Sequence, residues 1–292
     1  IGNVNVGAGI DVTGAIIGTT DATINSITVG KGANSVASNT VLGQSALDAA
    51  VTGQNNTAIG KSSLTANTSG QNNTAVGSGS LQANTTGTSN TALGIALYNN
   101  TTGTNNTGLG LGALGSNTTA SNSTAVGKDA LLANTTGTAN VAVGSNALDA
   151  NTTASNNVAI GYNSLTSNTT GPNNSAFGKD ALKANTSGGQ NVAIGFISMD
   201  SNTTSSGNVA VGAYTLHSQT DGTGQNTACG DSGLASNTSG SNNVAVGHRA
   251  LVTNTTASNN VAVGKSALEL NTTGIQNVAV GSLALDANTT AA

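Results

Sequence analysis

Residues 259–274 read NNVAVGKSALELNTTG, and nearly the same sequence occurs at 156–171 as NNVAIGYNSLTSNTTG and at 72–87 as NNTAVGSGSLQANTTG. Extending the comparison outward gives fifteen units with a period of 17 residues, beginning at 37, 54, 71, 88, 104, 121, 138, 155, 172, 189, 206, 224, 241, 258 and 275. The unit beginning at Thr88 is one residue short, and Thr223 is a single insertion. A fixed period of this length indicates a repeat architecture in which each unit is one structural element.

The composition is unlike that of an ordinary globular domain. The 292 residues include 40 glycines, three tyrosines, two phenylalanines and no tryptophan, and only 6% are charged, where about 25% is typical. Disordered chains usually have high net charge and abundant proline, but this chain has one proline and a net charge of -4. The regular spacing of its apolar residues therefore favours a repeat fold over disorder.

The same composition makes several functions improbable. Seven basic residues are too few to form the clustered cations that bind phosphates, so no nucleic-acid partner is expected. No run of about 20 apolar residues occurs, so no membrane insertion is expected. The opening IGNVNVGAG lacks the features of a signal peptide and does not begin with Met, which is typical of a fragment or a processed chain.

Aligned in columns, a unit reads x-N-N-(V/T)-A-(V/I/L)-G-x-x-(A/S)-L-x-x-N-T-T-G. Column seven is glycine in all fifteen units, column six is always apolar, and column eleven is leucine except at Met199. Fourteen of the fifteen charged residues in the repeats fall in columns eight, nine or twelve, and Asp221 is the exception. Because charged side chains are rarely buried without a partner, these columns are expected to face water. Columns six and eleven, with the alanines of columns five and ten, are the predicted core.

Columns four to six alternate larger and smaller side chains and are rich in β-branched residues, which predicts a short strand. The glycine of column seven fits a tight corner, and the Asn-Thr-Thr-Gly segment fits a second turn. Strand, corner, strand, corner at constant length predicts an all-β fold, a parallel β-solenoid or β-roll of 17-residue coils over residues 37–291, preceded by a short-stranded connector over 1–36. With coils about 4.8 Å apart, fifteen coils form a rod of roughly 70 Å. A helical hairpin is disfavoured by a glycine in every unit.

Stacked coils place identical columns on each other. Column three is asparagine from Asn39 to Asn277 except at Ser123, and columns fourteen and fifteen are usually an Asn-Thr pair. Asparagine amides stacked in register can hydrogen-bond along the column, as in cross-β assemblies. These columns are therefore interpreted as structural ladders. The Asn-Thr-Thr triplets also match the N-glycosylation sequon, which leaves glycosylation open.

Each unit offers only two sizeable apolar side chains, which is little to offset the ordering of 17 residues. Burial of a further face against other chains would strengthen the fold. Column five, alanine in thirteen units, suits close approach of another backbone. We therefore expect a homotrimer with three coils around one axis.

The units quoted above resemble the repeats of phage tail fibres and related fibrous virion proteins. More distantly, they resemble the head repeats of trimeric autotransporter adhesins, whose SVAIG strands build a trimeric parallel β-roll. The lead-in at 9–47, GIDVTGAIIGTTDATINSITVGKGANSVASNTVLGQSAL, is similar to the segment that precedes such repeats in tail fibres. The resemblance implies a shaft whose partners are other fibre or virion proteins at its ends, and whose tip, outside this chain, contacts a host-surface receptor. Many such fibres end in a self-cleaving chaperone, whereas these repeats run to the final NTTAA, as expected of a processed chain or a shaft fragment.

No chemistry-bearing cluster is found in the sequence, so no catalytic, cofactor or metal site and no enzyme activity are predicted. His217 and His248 occupy columns twelve and eight and are interpreted as surface histidines. Cys229 is the single cysteine and stands in column six, where it is interpreted as a core-filling side chain.

The expected function is that of a rigid trimeric shaft in a virion or at a cell surface. The alternatives are an adhesin whose repeat surface binds glycans or cells and, third, an ice-binding solenoid. Sugar binding favours exposed aromatic side chains, and Tyr98, Tyr162 and Tyr214 lie in different columns.

Overall fold

The computed structural model describes residues 21–24, 26–221 and 224–291, and this part of the chain is an all-β parallel solenoid. Three strands occur before or at the first coil: β1 (Ala22–Ile24), β2 (Ile27–Gly30) and β3 (Thr40–Gly43), with a short 3-10 turn at Ala33–Ser35. One three-residue strand follows in each later coil: β4 (Thr57–Ile59), β5 (Thr74–Val76), β6 (Thr91–Leu93), β7 (Thr107–Leu109), β8 (Thr124–Val126), β9 (Val141–Val143), β10 (Val158–Ile160), β11 (Ser175–Phe177), β12 (Val192–Ile194), β13 (Val209–Val211), β14 (Thr227–Cys229), β15 (Val244–Val246), β16 (Val261–Val263) and β17 (Val278–Val280). The predicted fold class and 17-residue coil are confirmed.

Strands β3 to β17 pair in parallel, each column on the same column of the next coil. In β4 and β5, for example, Ala58 lies opposite Ala75 and Ile59 opposite Val76. The short unit keeps this register, because Thr91 pairs with Thr107. The inserted residue also leaves it intact, because Val209 pairs with Thr227. Both length changes are therefore absorbed outside the strands.

An antiparallel hairpin covers the first coil. Strand β1 pairs with β2, and β2 pairs antiparallel with β3, so that Thr28 lies opposite Gly43. The Asp21 carboxylate accepts hydrogen bonds from the backbone N–H of Lys31 at 2.7 Å and of Gly32 at 2.6 Å, which closes the loop after β2. A covered strand edge cannot pair with another chain. Residues 1–20 of the predicted connector lie outside the described residues.

The interior is narrower than the sequence predicted. Column five is buried in every coil and column eleven in all coils up to Leu268, whereas column six lies on the outer face of the sheet, with Leu42 44% and Ile194 41% exposed. The assignment of column six to the core was therefore wrong, and so was the expectation that column five meets another chain, because its side chains are buried inside the single coil. A Cβ on Gly108, the one glycine in column five, would already lie 3.1 Å from Ala96 Cβ and 3.4 Å from Leu97 Cδ1. At this coil little more than a methyl group fits in column five, whereas the first coil accommodates the buried Val41 in the same column.

The return path of each coil is not a second strand, contrary to expectation. Columns nine and eleven adopt positive φ, as at Ser62 with 56° and Leu64 with 49°. These residues bend the chain around the core while hydrogen bonds between coils continue, because Leu64 N–H donates to Ser80 O at 3.0 Å and Ala66 N–H to Gln82 O at 3.1 Å. Left-handed backbone costs a leucine about 1–2 kcal/mol, which its complete burial offsets.

The glycine of column seven forms the corner after each strand. Gly144 has φ 138°, and a Cβ there would lie 2.4 Å from Gly161 O of the next coil. Both the backbone conformation and the close approach require glycine. The predicted corner is confirmed.

Candidate functional site

Two ladders of buried asparagine side chains run inside the solenoid. In column fourteen, each side-chain amide from Asn84 to Asn202 donates to Oδ1 of the preceding asparagine at 2.7–3.1 Å. In column three, Asn73 N–H donates to Asn56 Oδ1 at 3.1 Å, and Asn73 Nδ2 donates to Gly87 O at 2.9 Å. The predicted ladders are confirmed, and they satisfy polar groups that burial would otherwise leave unpaired.

The column-fourteen ladder breaks at Gln219. Its Nε2 donates to Asp221 O at 2.6 Å and to Ser205 Oγ at 3.3 Å instead of to Asn202. Asn202 Oδ1 is buried and has no hydrogen-bond partner within the described residues. Beyond the break the ladder resumes, with Asn237 Nδ2 donating to Gln219 Oε1.

Burial of column fourteen bears on glycosylation. Asn84 is 0% exposed, and its Nδ2 donates to Asn67 Oδ1 at 2.8 Å and to Gly87 O at 3.0 Å. Both amide hydrogens are therefore engaged in the folded coil. The Asn-Thr-Thr sequons that begin at buried asparagines of this column cannot receive a glycan without unfolding of the coil.

Threonine forms an outer row beside these ladders. Column-fifteen hydroxyls donate to the carbonyl of the next coil, as from Thr68 Oγ1 to Thr85 O at 3.1 Å. Every side chain described in column sixteen is exposed. Each coil therefore presents one outward threonine or serine in this column, except where Asp221 stands. Thr52 differs from the others because its Oγ1 donates to Thr68 O at 3.2 Å.

The outward columns four and six of β3 to β17 form one face, which we call the outer sheet face. Column six supplies a continuous apolar row along it, and column four supplies Thr, Ser or Val beside that row. Column six is at least partly exposed in every coil and contributes Val, Ile, Leu, Phe177 and Cys229. Cys229 is exposed here, so its assignment to the core was wrong, for the same reason as for column six as a whole.

The two histidines lie at the surface, as predicted. His217 Nδ1 is hydrogen-bonded to Asp200 Oδ1, and His248 Nε2 lies 3.7 Å from Asp231 Oδ1. Among the described residues no three His, Cys, Asp or Glu side chains gather closely enough to hold a metal ion.

Aromatic side chains from different columns of the repeat contact each other in the structure. Phe196 and Tyr214 pack edge to face with ring centroids 5.5 Å apart, and Tyr214 lies 6.2 Å from the His217 ring. Lys179 Nζ sits 5.5 Å from the Phe196 centroid, within cation–π distance. Sequence reasoning treated the columns separately and missed this cluster. The signal was present, because columns eight, nine and twelve had all been assigned to the surface.

Three further charged residues, Arg249, Glu269 and Asp149, lie in columns nine and twelve. Arg249 pairs with Glu269 at 2.6 Å. A hydrogen bond from Ser266 lowers the pKa of Glu269, and the charges of Arg249 and His248 act in the same direction. Burial raises the pKa of Asp149, and the neighbouring Asp129 carboxylate raises it further.

No helix in the described ranges is long and apolar enough to cross a bilayer. In comparisons with known proteins, no family model and no curated sequence matches the chain.

Proposed function

We propose that this chain is the shaft of an extracellular fibre, of the kind found in phage tail fibres, built as a homotrimer that holds a receptor-binding tip away from its base. The rod shape supports this role. Fifteen units stacked about 4.8 Å apart give a length of roughly 70 Å. The backbone ladder and the asparagine ladders, one of which breaks at Gln219, stiffen the rod along its axis.

The outer sheet face is the observation that carries the trimer. It is roughly 70 Å long and about 7–10 Å wide, or about 500–700 Å², from the coil spacing and the rise along a strand. A face of this size, with a continuous apolar row in column six, approaches the roughly 800 Å² that each partner buries in a stable interface. The occupant we propose is the same face of two further copies. The resemblance to fibres with three coils around one axis favours three copies over two.

The proposed partners follow from this role. The ends of the shaft would join other fibre or virion proteins, a tip outside this chain would contact a host-surface receptor, and the location would be the virion or a cell surface. Exposed Asn, Thr and Ser keep the remaining surface polar, and its low charge attracts few ionic partners. The chain would act as a spacer without enzyme activity.

The proposal is tested by measuring the mass in solution of the unmodified chain and of two variants designed to disrupt the interface. Sedimentation of the intact chain should give three times 27.9 kDa, about 84 kDa, with a β-rich circular dichroism spectrum. Ile194→Asp and Val246→Asp each place a charge on the outer sheet face and should shift the mass toward one chain. Ser78→Asp, on the exposed corner in column eight, is the matched control and should remain trimeric. A folded monomer of the unmodified chain would overturn the proposal.

Ice binding has weaker support. The single outward row of column sixteen gives one hydroxyl per coil, because the column-fifteen hydroxyls are used between coils. The adhesin alternative has a specific observation in its favour, the aromatic cluster.

A further inference from the structure

The repeat is least regular in one part of the rod. Four of the five aromatic side chains in the chain lie between residues 162 and 214, and the ladder break and the insertion follow within ten residues. Elsewhere columns eight, nine and twelve carry polar, small or aliphatic residues and one aromatic side chain, Tyr98, and form equally complete coils. A local departure from a strict repeat calls for a role that the other coils do not share. The departures are Tyr162, Phe177, Phe196, Met199, Tyr214, His217, Gln219, Asp221, Thr223 and Cys229.

Six of the residues in this region form one surface, which we call the aromatic patch: Tyr162, Lys179, Phe196, Asp200, Tyr214 and His217. Tyr162, Lys179 and Phe196 occupy column eight of three consecutive coils. Tyr214, in column nine, is fixed beside Phe196 because its N–H donates to Phe196 O at 3.1 Å. His217 and Asp200 occupy column twelve and are hydrogen-bonded to each other. Backbone bonds between coils thus fix the positions from which these side chains project.

The aromatic rings are available to a ligand. Tyr162 is 50% exposed, Phe196 40% and Tyr214 41%. Exposed aromatic rings beside hydroxyl, carboxylate and imidazole groups can stack on the C–H face of a sugar while hydrogen-bonding its hydroxyls. A purely structural role would not require three rings to remain this exposed.

The charged residues of the aromatic patch, together with the adjacent Asp180 and Lys183, form ion pairs. Lys179 Nζ lies 3.7 Å from Asp180 Oδ2, and Lys183 Nζ lies 3.8 Å from Asp180 Oδ1. Asp200 is paired with His217. Two lysines and two aspartates leave no excess of one sign to attract a strongly charged ligand. The patch therefore favours an uncharged ligand.

We propose that the aromatic patch is a binding site for a neutral oligosaccharide that lies along the rod axis. From Tyr162 to Tyr214 the patch spans three coil steps, roughly 14 Å, which exceeds one sugar ring. Phe196 and Tyr214 supply the central stacking surface. Asp200, His217 and the tyrosine hydroxyls supply hydrogen bonds. Rings fixed on a rigid backbone need little ordering on binding, which favours affinity. The site does not depend on the oligomeric state of the chain.

The test uses an array of neutral and sialylated oligosaccharides, followed by NMR titration of the chain with the best neutral binder. Phe196→Ser and Tyr214→Ser place at each position a residue that the repeat already uses in that column, so the coils should stay folded by circular dichroism. Each should weaken binding about tenfold or more, as expected for loss of a central aromatic contact. Tyr98→Ser, which removes the aromatic ring outside the 162–214 region, is the matched control and should bind within about twofold of the unmodified chain.

Three results would overturn the proposal: no neutral oligosaccharide bound, sialylated sugars alone bound, or equal binding by all variants. A fall in the sedimentation mass of Tyr214→Ser would also overturn it, because it would show the patch to be a contact between copies. The trimer proposal is judged separately by the mass of the unmodified chain.

Discussion

Asn73 and Asn84 donate to one shared acceptor, the carbonyl oxygen of Gly87, at 2.9 and 3.0 Å. Asn73 stands just before a strand and Asn84 just before the turn, so this one oxygen ties together the two ends of the coil. Both asparagines are fully buried. The two ladders are therefore one network, and loss of either amide leaves several buried groups unpaired.

Asn84→Ala should destabilise the solenoid by at least about 2 kcal/mol, because it removes the donor to Asn67 Oδ1 and the acceptor of Asn100 Nδ2. Urea unfolding measures the loss, and hydrogen exchange should locate it in the adjacent coils. Gln82→Ala changes an exposed residue in the same coil, in a column that holds Ala235 elsewhere, and is expected to have little effect. Equal effects of the two substitutions would contradict a buried network.

Gly144→Ala should destabilise by about 2 kcal/mol or more, since φ is 138° and the new Cβ would meet Gly161 O at 2.4 Å. Gly79→Asn is the matched control. Its φ is 70°, a Cβ there would meet Gln82 Oε1 at 3.4 Å, which is an ordinary contact, and the same column holds Asn146 at φ 57°. The control should keep the thermal midpoint of the unmodified chain, and a tolerated Gly144→Ala would show that the corner can relax.

Ala142→Val tests which column faces the core. Ala142 is 0% exposed and lies in the width-limited interior, so an added pair of methyl groups should cost about 1–3 kcal/mol by overpacking. Val143→Ile enlarges the next side chain, on the outer sheet face, and should be nearly neutral. Thermal unfolding of the two variants measures the difference, and the reverse order would restore column six to the core.

Cys229 is a natural reporter for the proposed trimer. It is exposed on the outer sheet face of a single chain, so the thiol should react readily with a maleimide in a dissociated chain. In the trimer the same thiol should react at least about tenfold more slowly, because other copies cover it. Labelling rates of the intact chain and of Ile194→Asp provide the comparison. Identical rates in assembled and dissociated chains would place the interface elsewhere.

Asp149 gives the stability a defined pH dependence. Its folded pKa is raised above the ordinary value of 3.8, first by burial and then by Asp129. The folded state therefore holds its proton more tightly than the unfolded state, and stability falls as pH rises through the window above 3.8. Asp149→Asn should raise the thermal midpoint at pH 7 and leave it almost unchanged at pH 3.

Asp48, an exposed aspartate in the same column, provides the control for this pH effect. Asp48→Asn should change the midpoint little at either pH. A fall in the pH 7 midpoint of Asp149→Asn would show that attraction to Lys128 outweighs the burial of the carboxylate.

The repeat period, the strand, the glycine corner and the asparagine ladders could all be read from the columns, because stacking turns sequence identity into spatial adjacency. The columns did not show which face of the strand points into the core. Val143 is more hydrophobic than Ala142, yet Ala142 faces inward, into an interior where Leu148 is also fully buried. The turn at Leu148, with φ 52°, also has no sequence signature, since leucine seldom adopts it.

The candidate site was hidden for a different reason. A column number gives a residue's position within one coil and does not show which residues of neighbouring coils touch. Phe196 and Tyr214 belong to different columns of two adjacent coils, and their rings are in contact. The individual residues were visible in the sequence, but their contact depends on how neighbouring coils are offset at the corner.

The same-column register has a consequence for how such a rod can change over time. Each coil touches its neighbours through the same columns, so removal or duplication of one 17-residue unit brings together surfaces that already fit. The length of the rod is then set by copy number, in steps of about 4.8 Å. Gain or loss of a whole unit therefore changes the length in one step, without any new side-chain packing having to evolve.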